Sequence, residues 1–248
     1  MMRDTHLHLS IIIPAYNEEK RIADTILDVS RYLNKQNYSS EIFVVNDGSK
    51  DKTAEAIREL EAIIPRLKLI DNEKNKGKGG VVKQGMLLAS GEYRLFMDAD
   101  NAIKITEIEN FWPYIKEQKY DVVIGSIEIK GGRAKEEYTG FSKIYRNVLG
   151  KLSKYLVRVL TIWEIHDTQR AFKLFTAESA EKIFPRQTIM RWGFDIEVLV
   201  IAKKLGYKIK ELPVQWENPP GKVTFANYLR TLMELLQIKF NSLRGKYK

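Results

Sequence analysis

The stretch LSIIIPAYNE at residues 9–18 decides the fold class. Its first six residues form an apolar run rich in isoleucine, which predicts a buried strand over residues 9–14. Apolar residues then recur at helical spacing over residues 18–36. A buried strand followed by an amphipathic helix is the basic unit of proteins that layer helices on a sheet.

The same alternation continues along the chain and becomes less regular in its second half. Strands are predicted at residues 9–14, 41–47, 67–71, 93–98, 121–125 and 207–214. Helices are predicted at residues 18–36, 51–63, 81–89, 141–160, 193–205 and 224–240. Because strands separated by helices pair in parallel, we expect an α/β fold with a mostly parallel central sheet flanked by helices.

Polar motifs follow three of the predicted strands. They are PAYNE at residues 14–18, NDGS at 46–49 and DAD at 98–100. Sheets of this class bind ligands beyond the carboxyl ends of their strands, so we expect the three motifs to converge on one site. No glycine-rich dinucleotide fingerprint follows the first strand, and the glycines at residues 77–80 do not fit a P-loop.

The carboxylate pair Asp98 and Asp100 predicts a metal site. Residues two apart on a strand project to the same face, and two carboxylates held close raise each other's pKa. A hard divalent cation, Mg²⁺ or Mn²⁺, relieves this repulsion and bridges to substrate phosphates. The alternative is a solvated turn that caps the next helix; convergence with NDGS favours the metal.

Asp47 ends an otherwise apolar strand and has two possible roles. It can cap the helix that follows, or it can accept hydrogen bonds from a nucleobase or ribose. Asn17, Glu18 and Asp51 can equally be helix caps.

The net charge of +9 is concentrated in two segments. Residues 130–160 carry eight basic and two acidic side chains, and residues 222–248 carry six basic and one acidic. A basic surface attracts nucleic acid, anionic lipid or phosphorylated substrate, and its sign alone does not choose among them. The absence of cysteine excludes disulfides, thiol nucleophiles and Cys-ligated zinc, and three histidines argue against a His-rich metal site.

Four segments together resemble the inverting glycosyltransferases of family 2, which use the GT-A fold. They are IIIPAYNE (residues 11–18), VVNDGSKDKT (44–53), NKGKGG (75–80) and MDADNAIK (97–104). Two later segments are more specific: DTQRAFKLF (167–175) and RWGFDIEVL (191–199) resemble the dolichyl-phosphate β-glucosyltransferases, close relatives of the dolichyl-phosphate mannose synthases.

This resemblance implies one GT-A domain over residues 1–248, with a nucleotide-sugar-binding half (1–125) and an acceptor- and membrane-facing half (126–248). It implies that Asp98 and Asp100 bind the metal, and that Asp100 holds the ion that bridges the diphosphate. The implied nucleotide-binding residues are Pro14, Ala15, Tyr16, Glu18, Asp47, Lys78 and Asp98.

On the acceptor side, the resemblance makes Arg133, Arg191 and Lys222 candidates for binding the acceptor phosphate. Asp195 matches the position of the catalytic base in relatives that use hydroxyl acceptors. Its alternative role is that of an acidic residue at a helix start, where the helix dipole favours it.

The sequence departs from the family pattern at four positions. Asn46 replaces the first Asp of the usual DDGS, and Ala102 stands near the Gln that helps to hold the metal in the mannose synthases. Arg170 and Ala171 replace residues that are usually small.

The implied activity is inverting, metal-assisted transfer of glucose from UDP-glucose to a polyprenyl phosphate of the dolichyl type. A monoalkyl phosphate has a second pKa of about 6, so it is mostly a dianion at pH 7 and needs no base. A hydroxyl acceptor would need one.

Two alternatives stay open. One is a family 2 transferase that acts on a hydroxyl of a glycolipid or polysaccharide, and the other is a non-catalytic basic protein that binds membrane or nucleic acid. Acidic motifs at three strand ends argue against such a binder, so no nucleic-acid partner is expected.

A lipid acceptor requires contact with a bilayer. Apolar residues at three- and four-residue steps, interleaved with basic ones, predict an amphipathic helix on an anionic membrane surface at residues 141–160, or else a helix packed on the core. Residues 225–240 are a second candidate. The longest uncharged stretch has 13 residues (5–17), short of the roughly 20 that span a bilayer. We therefore expect peripheral attachment to the cytoplasmic face, without the amino-terminal anchor of the eukaryotic glucosyl enzymes.

Overall fold

The computed structural model describes residues 7–135, 155–217 and 225–248. Nine strands are defined in these ranges: β1 (Leu9–Ala15), β2 (Ser40–Asn46), β3 (Leu67–Asp71), β4 (Tyr93–Met97), β5 (Val122–Ser126), β6 (Arg133–Lys135), β7 (Phe172–Thr176), β8 (Ile209–Pro213) and β9 (Gln215–Glu217). The α-helices with defined bounds are α1 (Ile22–Leu33), α2 (Thr53–Glu61), α3 (Lys78–Leu88), α4 (Ala177–Arg186), α5 (Phe194–Lys204) and α6 (Phe225–Leu243). A 3₁₀ turn (Ile105–Asn110) and a π turn (Pro113–Glu117) lie between β4 and β5.

The central sheet has seven strands in the order β3-β2-β1-β4-β7-β5-β8. All neighbouring pairs are parallel except those that β7 makes with β4 and β5. The predicted α/β fold with a mostly parallel sheet is therefore confirmed. Strand β7 was not predicted, because Lys173 interrupts its short apolar run.

The sheet separates two apolar cores, because successive side chains of a strand point to opposite faces. Ile11 and Ile13 of β1 belong to one core, which α1 and α2 cover, and Ile12 belongs to the other. Helices α3, α4, α5 and α6 contribute buried residues to that second core. The result is a three-layer arrangement in which loops at the carboxyl edge of the sheet stay open.

The helix bounds differ from the prediction in two informative places. Helix α1 begins at Ile22 rather than at residue 18, because Asn17 adopts a positive φ of 55° and residues 18–21 form a turn. Of the predicted helix at residues 141–160, residues 155–160 are helical and the rest lies outside the described residues. No helix in the described ranges combines the length and apolarity that crossing a bilayer requires.

Candidate active site

The loops after β1 and β2 bind each other at the carboxyl edge of the sheet. The Asn17 N–H donates to Ser49 Oγ at 2.9 Å, and the Lys50 N–H donates to Asn17 Oδ1 at 2.9 Å. The Glu18 N–H donates to Thr53 Oγ1 at 2.8 Å. The predicted convergence of PAYNE and NDGS is thus present, and it leaves the Tyr16 side chain exposed at the edge.

Asn46 shows why this chain departs from DDGS. Its amide Nδ2 donates to Asp71 Oδ1 at 2.6 Å, and its Oδ1 accepts from Ser49 Oγ. An aspartate at this position would face the Asp71 carboxylate and lose the donor, so the asparagine matches its neighbour on β3.

Asp47 holds the loop that precedes α3. Its buried carboxylate accepts the Lys76 N–H at 2.6 Å and the Gly77 N–H at 3.0 Å. Burial raises the pKa of Asp47, and the backbone donors and the Arg191 charge offset only part of that rise. Asp47 thus anchors the start of α3 rather than α2, and its contact with a nucleoside stays a prediction.

Gly77 lets the segment around residue 190 pack on this loop. Its φ is +82°, and a Cβ at this position would lie 2.4 Å from the Met190 carbonyl oxygen. The Gly80 N–H donates to the same carbonyl at 3.1 Å. The sequence motifs NKGKGG and RWGFDIEVL, which lie more than 100 residues apart, therefore share one wall of the site.

Lys78 is the cation at the centre of the site. Its Nζ lies 2.5 Å from Asp98 Oδ1 and 5.3 Å from the centre of the Trp192 ring. Burial by itself lowers the pKa of Lys78, but the charges of Asp98, Asp195 and Asp100 outweigh burial and raise it. The ammonium therefore stays protonated at neutral pH.

Asp98 and Asp100 both lie in the turn just after β4, whereas the prediction had placed Asp98 at the end of the strand. Ala99 between them is buried, and its carbonyl accepts from Thr25 Oγ1 at 2.7 Å, so the two carboxylates stay half-buried on the open side. The Ala102 N–H donates to Asp100 Oδ1 at 3.1 Å. Burial and then the charge of Asp98 raise the pKa of Asp100.

Glu18 adds a third carboxylate to this electrostatic environment. It pairs with Arg21 at 2.6 Å, while burial raises its pKa and the charges of Asp100 and Asp98 add to the rise. Within the described ranges, no three side chains of His, Asp or Glu gather closely enough to hold a metal ion alone. The half-buried pair Asp98 and Asp100 nevertheless fits a hard cation whose other ligands come from water and substrate phosphate.

Asp195 lies in the first turn of α5 and is paired with a residue that the sequence analysis missed. Lys173 Nζ lies 2.5 Å from Asp195 Oδ1, and the two side chains are 0% and 3% exposed. Burial raises the pKa of Asp195 against the opposing charges of Lys173 and Lys78, and burial lowers the pKa of Lys173. The sequence signal that could have revealed this pair is the lysine inside the apolar run FKLF at residues 172–175.

The three acceptor-phosphate candidates lie in different places. Arg133 is exposed on β6, which pairs with β9; the Glu217 N–H of β9 donates to the Ala102 carbonyl at 2.8 Å, so this strand pair runs beside the DAD turn. Arg191 lies against Gly77. Lys222 lies outside the described residues, and the role of all three stays a prediction.

Two further side chains of the specific segments join the site region. Trp192 is exposed beside Lys78. Arg170 pairs with Asp167 at 2.9 Å and stacks on Trp216, with its guanidinium carbon 4.4 Å from the ring centre. The sequence contains both residues within RWGFDIEVL and DTQRAFKLF, but it does not reveal which residues they contact.

Two solved structures with this fold are a glucosyl- and a mannosyl-3-phosphoglycerate synthase. The chain superimposes on glucosyl-3-phosphoglycerate synthase from Mycobacterium tuberculosis, solved in complex with Mn²⁺, UDP and phosphoglyceric acid, with a TM-score of 0.65 and 18% identity over 94% of this chain and 78% of that one. Mannosyl-3-phosphoglycerate synthase from Rubrobacter xylanophilus gives a TM-score of 0.68 and 15% identity over 97% of this chain and 75% of that one. These likenesses confirm the predicted GT-A fold.

Sequence comparison gives the family. Residues 10–184 match glycosyl transferase family 2. The dolichyl-phosphate beta-glucosyltransferase of Dictyostelium discoideum is 33% identical over 255 residues, with 98% of this chain and 77% of the relative covered. The enzyme of the same name from Homo sapiens is 32% identical over 258 residues, with 97% and 77% covered. The chain belongs to glycosyl transferase family 2, in the branch that holds the dolichyl-phosphate β-glucosyltransferases.

Proposed function

We propose that this protein transfers glucose from UDP-glucose to a polyprenyl phosphate and inverts the anomeric centre. The observation that carries the proposal is the grouping of Lys78, Asp98 and Asp100 at the carboxyl edge of the sheet, beside the loop of Tyr16. Similarity over nearly the whole chain to dolichyl-phosphate β-glucosyltransferases supports the choice of sugar and acceptor.

The first half of the chain binds the donor in this proposal. Tyr16 offers an exposed ring to the uracil, with Pro14, Ala15 and Glu18 around it, and Asp47 holds the loop that carries Lys78. Lys78 supplies a fixed positive charge to the diphosphate, because three neighbouring carboxylates keep it protonated.

Mg²⁺ or Mn²⁺ would be held by Asp98 and Asp100. When bound, such an ion neutralises the negative charge that gathers on the leaving diphosphate. The chain's own contribution is geometric: Ala99 turns inward, and the Ala102 N–H fixes one oxygen of Asp100, so both carboxylates face the open side together.

The acceptor is a phosphate rather than a hydroxyl in this proposal. A phosphate oxygen forms the bond to the anomeric carbon while the bond from that carbon to UDP breaks and its electron pair leaves with UDP. A phosphate dianion has no proton to remove. The Asp195 carboxylate, buried and paired with Lys173, is poorly placed to take one, which supports this choice.

The second half of the chain faces the acceptor and the bilayer in this proposal. Arg133, Arg191 and Lys222 are proposed to bind the acceptor phosphate, and the enzyme is proposed to work on an anionic membrane surface, peripherally and on its cytoplasmic face. Nucleic acid is not a proposed partner.

The donor test is a transfer assay with a short-chain polyprenyl phosphate and UDP-glucose, GDP-mannose or UDP-N-acetylglucosamine, each with and without Mn²⁺. We expect metal-dependent transfer from UDP-glucose and at least a 100-fold loss in Asp100→Asn, since several kcal/mol of charge stabilisation are removed. Asp24→Asn, an exposed carboxylate on α1, is the matched control. Preference for another donor would overturn the choice of sugar.

The acceptor test uses Asp195→Asn. A general base contributes roughly 100-fold or more, so a loss of that size with the protein still folded would favour a hydroxyl acceptor. Turnover within about tenfold of wild type favours the phosphate.

A further inference from the structure

Helix α6 carries an apolar face that points away from the core. Its exposed apolar side chains are between 36% and 76% accessible. At about 100° per residue they fall within an arc of about 100°. The buried residues Leu235, Ile238 and Asn241 lie on the opposite side of the helix. The outward face, which we call the outer stripe, consists of Leu232, Met233, Leu236, Phe240 and Leu243.

Cations border the outer stripe on both sides. At the same helical spacing, Lys239 lies along one edge, and Arg230 and Arg244 lie along the other; all three are exposed. The guanidinium carbon of Arg244 lies 3.9 Å from the centre of the Phe240 ring. Glu234 is the sole acidic residue between residues 225 and 248, and it is buried on the core side.

A second exposed apolar segment lies next to this helix. Tyr155, Val159 and Trp163 are about half exposed, and Arg158 stacks on Trp163 at 4.6 Å. Residues 160–162 share a small cavity with α6, which places the segment alongside the helix. The two segments therefore lie side by side, and in each an arginine stacks on an exposed aromatic ring.

We propose that the outer stripe of α6 docks on an anionic lipid bilayer, with its apolar side chains at the boundary between headgroups and acyl chains. This inference rests on the proposed function, which requires a lipid-borne acceptor. An amphipathic helix with a central apolar face and flanking basic residues suits that boundary, because the long cationic side chains reach the headgroups.

The charges favour a bilayer over a second copy of the chain. Two copies joined through this face would bring arginine and lysine together with no exposed carboxylate on α6 to pair them. An anionic lipid surface meets those cations with opposite charge, and each one strengthens binding about fivefold.

Helix α6 also contacts a segment that walls the active site. The Glu234 carboxylate accepts the Gly193 N–H at 2.7 Å. Gly193 follows Trp192, whose ring lies beside the Lys78 ammonium. The helix that carries the outer stripe therefore also contacts the segment that walls the site, through its opposite, core-facing side.

The test is co-sedimentation of the full chain with vesicles that contain no polyprenyl phosphate, in the absence of nucleotide sugar. Vesicles with about 30% phosphatidylserine are compared with vesicles of phosphatidylcholine alone. We expect binding to the anionic vesicles that falls several-fold when salt rises from about 0.1 to 0.5 M. Leu236→Asp/Phe240→Asp should weaken it tenfold or more, since two apolar anchors become charged.

Leu87→Asp/Leu88→Asp is the matched control, because it adds the same charge at two exposed leucine positions on α3. Equal binding by wild type and the α6 variant would overturn the proposal. Failure of the wild type to bind the anionic vesicles would overturn it as well. A dimer in solution that the α6 variant dissolves would show that a second copy covers the stripe, and this too overturns it. Transfer to a soluble short-chain acceptor tests the proposed function separately, so the two failures are distinguishable.

Discussion

Replacing Asp195 with Asn should destabilise the protein through Lys173. The two side chains form a fully buried ion pair at 2.5 Å, so the variant leaves an ammonium in the core without its counter-charge. Removing one partner of such a pair typically costs about 3–5 kcal/mol. The Arg170 carbonyl, which also accepts from Lys173 at 2.5 Å, offers a dipole but no charge.

The cost has a ceiling set by deprotonation. A lysine of ordinary pKa 10.5 loses its proton at pH 7.5 for about 4 kcal/mol, because each pKa unit is worth about 1.4 kcal/mol. In Asp195→Asn the folded state therefore binds fewer protons than the unfolded state, and stability rises with pH. The deficit should shrink to about 1.4 kcal/mol by pH 9.5. Lys173→Met leaves a buried carboxylate instead, so its deficit should shrink as the pH falls.

The assay is equilibrium unfolding in urea at pH 7.5 and 9.5 for wild type, both single variants and Lys173→Met/Asp195→Asn. We expect the double variant to be more stable than either single one at pH 7.5, with a coupling energy of about 2–3 kcal/mol. In thermal melts, a 3 kcal/mol loss corresponds to a Tm about 6–12 °C lower. Glu164→Gln, which breaks the exposed pair with Lys203, should change stability by less than about 1 kcal/mol. Strictly additive effects would refute the ion pair as the source of the cost.

Three further predictions concern the parts that support the site. Gly77→Ala should lower the free energy of unfolding by about 2–4 kcal/mol, because its positive φ and a clash with the backbone at residue 190 combine. Gly206→Ala has the same φ of +82° but lies in open space, so it should cost only about 1–2 kcal/mol. Equal losses in denaturant unfolding would contradict the clash. Tyr247→Phe removes the 2.7 Å hydrogen bond to the buried Glu197 and should cost about 1.5–3 kcal/mol in the same assay, with an unchanged Cm as the contrary result. Hydrogen bonds and a cation lower the pKa of the buried Glu41 despite its desolvation, so the free energy of unfolding should fall as the pH drops below 4.5. Glu41→Gln should flatten that fall. Parallel pH profiles of wild type and Glu41→Gln would contradict this role of Glu41.

Much of the fold could be predicted because it depends on local pattern. The apolar runs of β1 and β2 and the helical spacing of α1 reflect which residues a buried strand or an amphipathic helix needs, and both can be read over a few residues. That the loops carrying Tyr16, Asp47 and Asp98 lie at the same edge could also be predicted, because parallel strands present their carboxyl ends at one edge of the sheet.

The antiparallel strand β7 was missed for a physical reason. Its five residues include Lys173, and a charged residue in an apolar run reads as a surface position. The strand lies between β4 and β5, and its lysine can be buried there because it pairs with Asp195, a residue 22 positions away that comes from a different element. No local pattern contains that contact.

The sequence by itself determined which chemical groups this protein has and which strand ends carry them, since strand and helix periodicity and turn residues act over short stretches of chain. The tertiary structure alone decided the partners: that Lys78 meets Asp98, that Lys173 neutralises Asp195, and that Glu234 of α6 holds the segment beside the site. Such pairings depend on how helices pack across a sheet, and packing joins residues that are far apart in the chain.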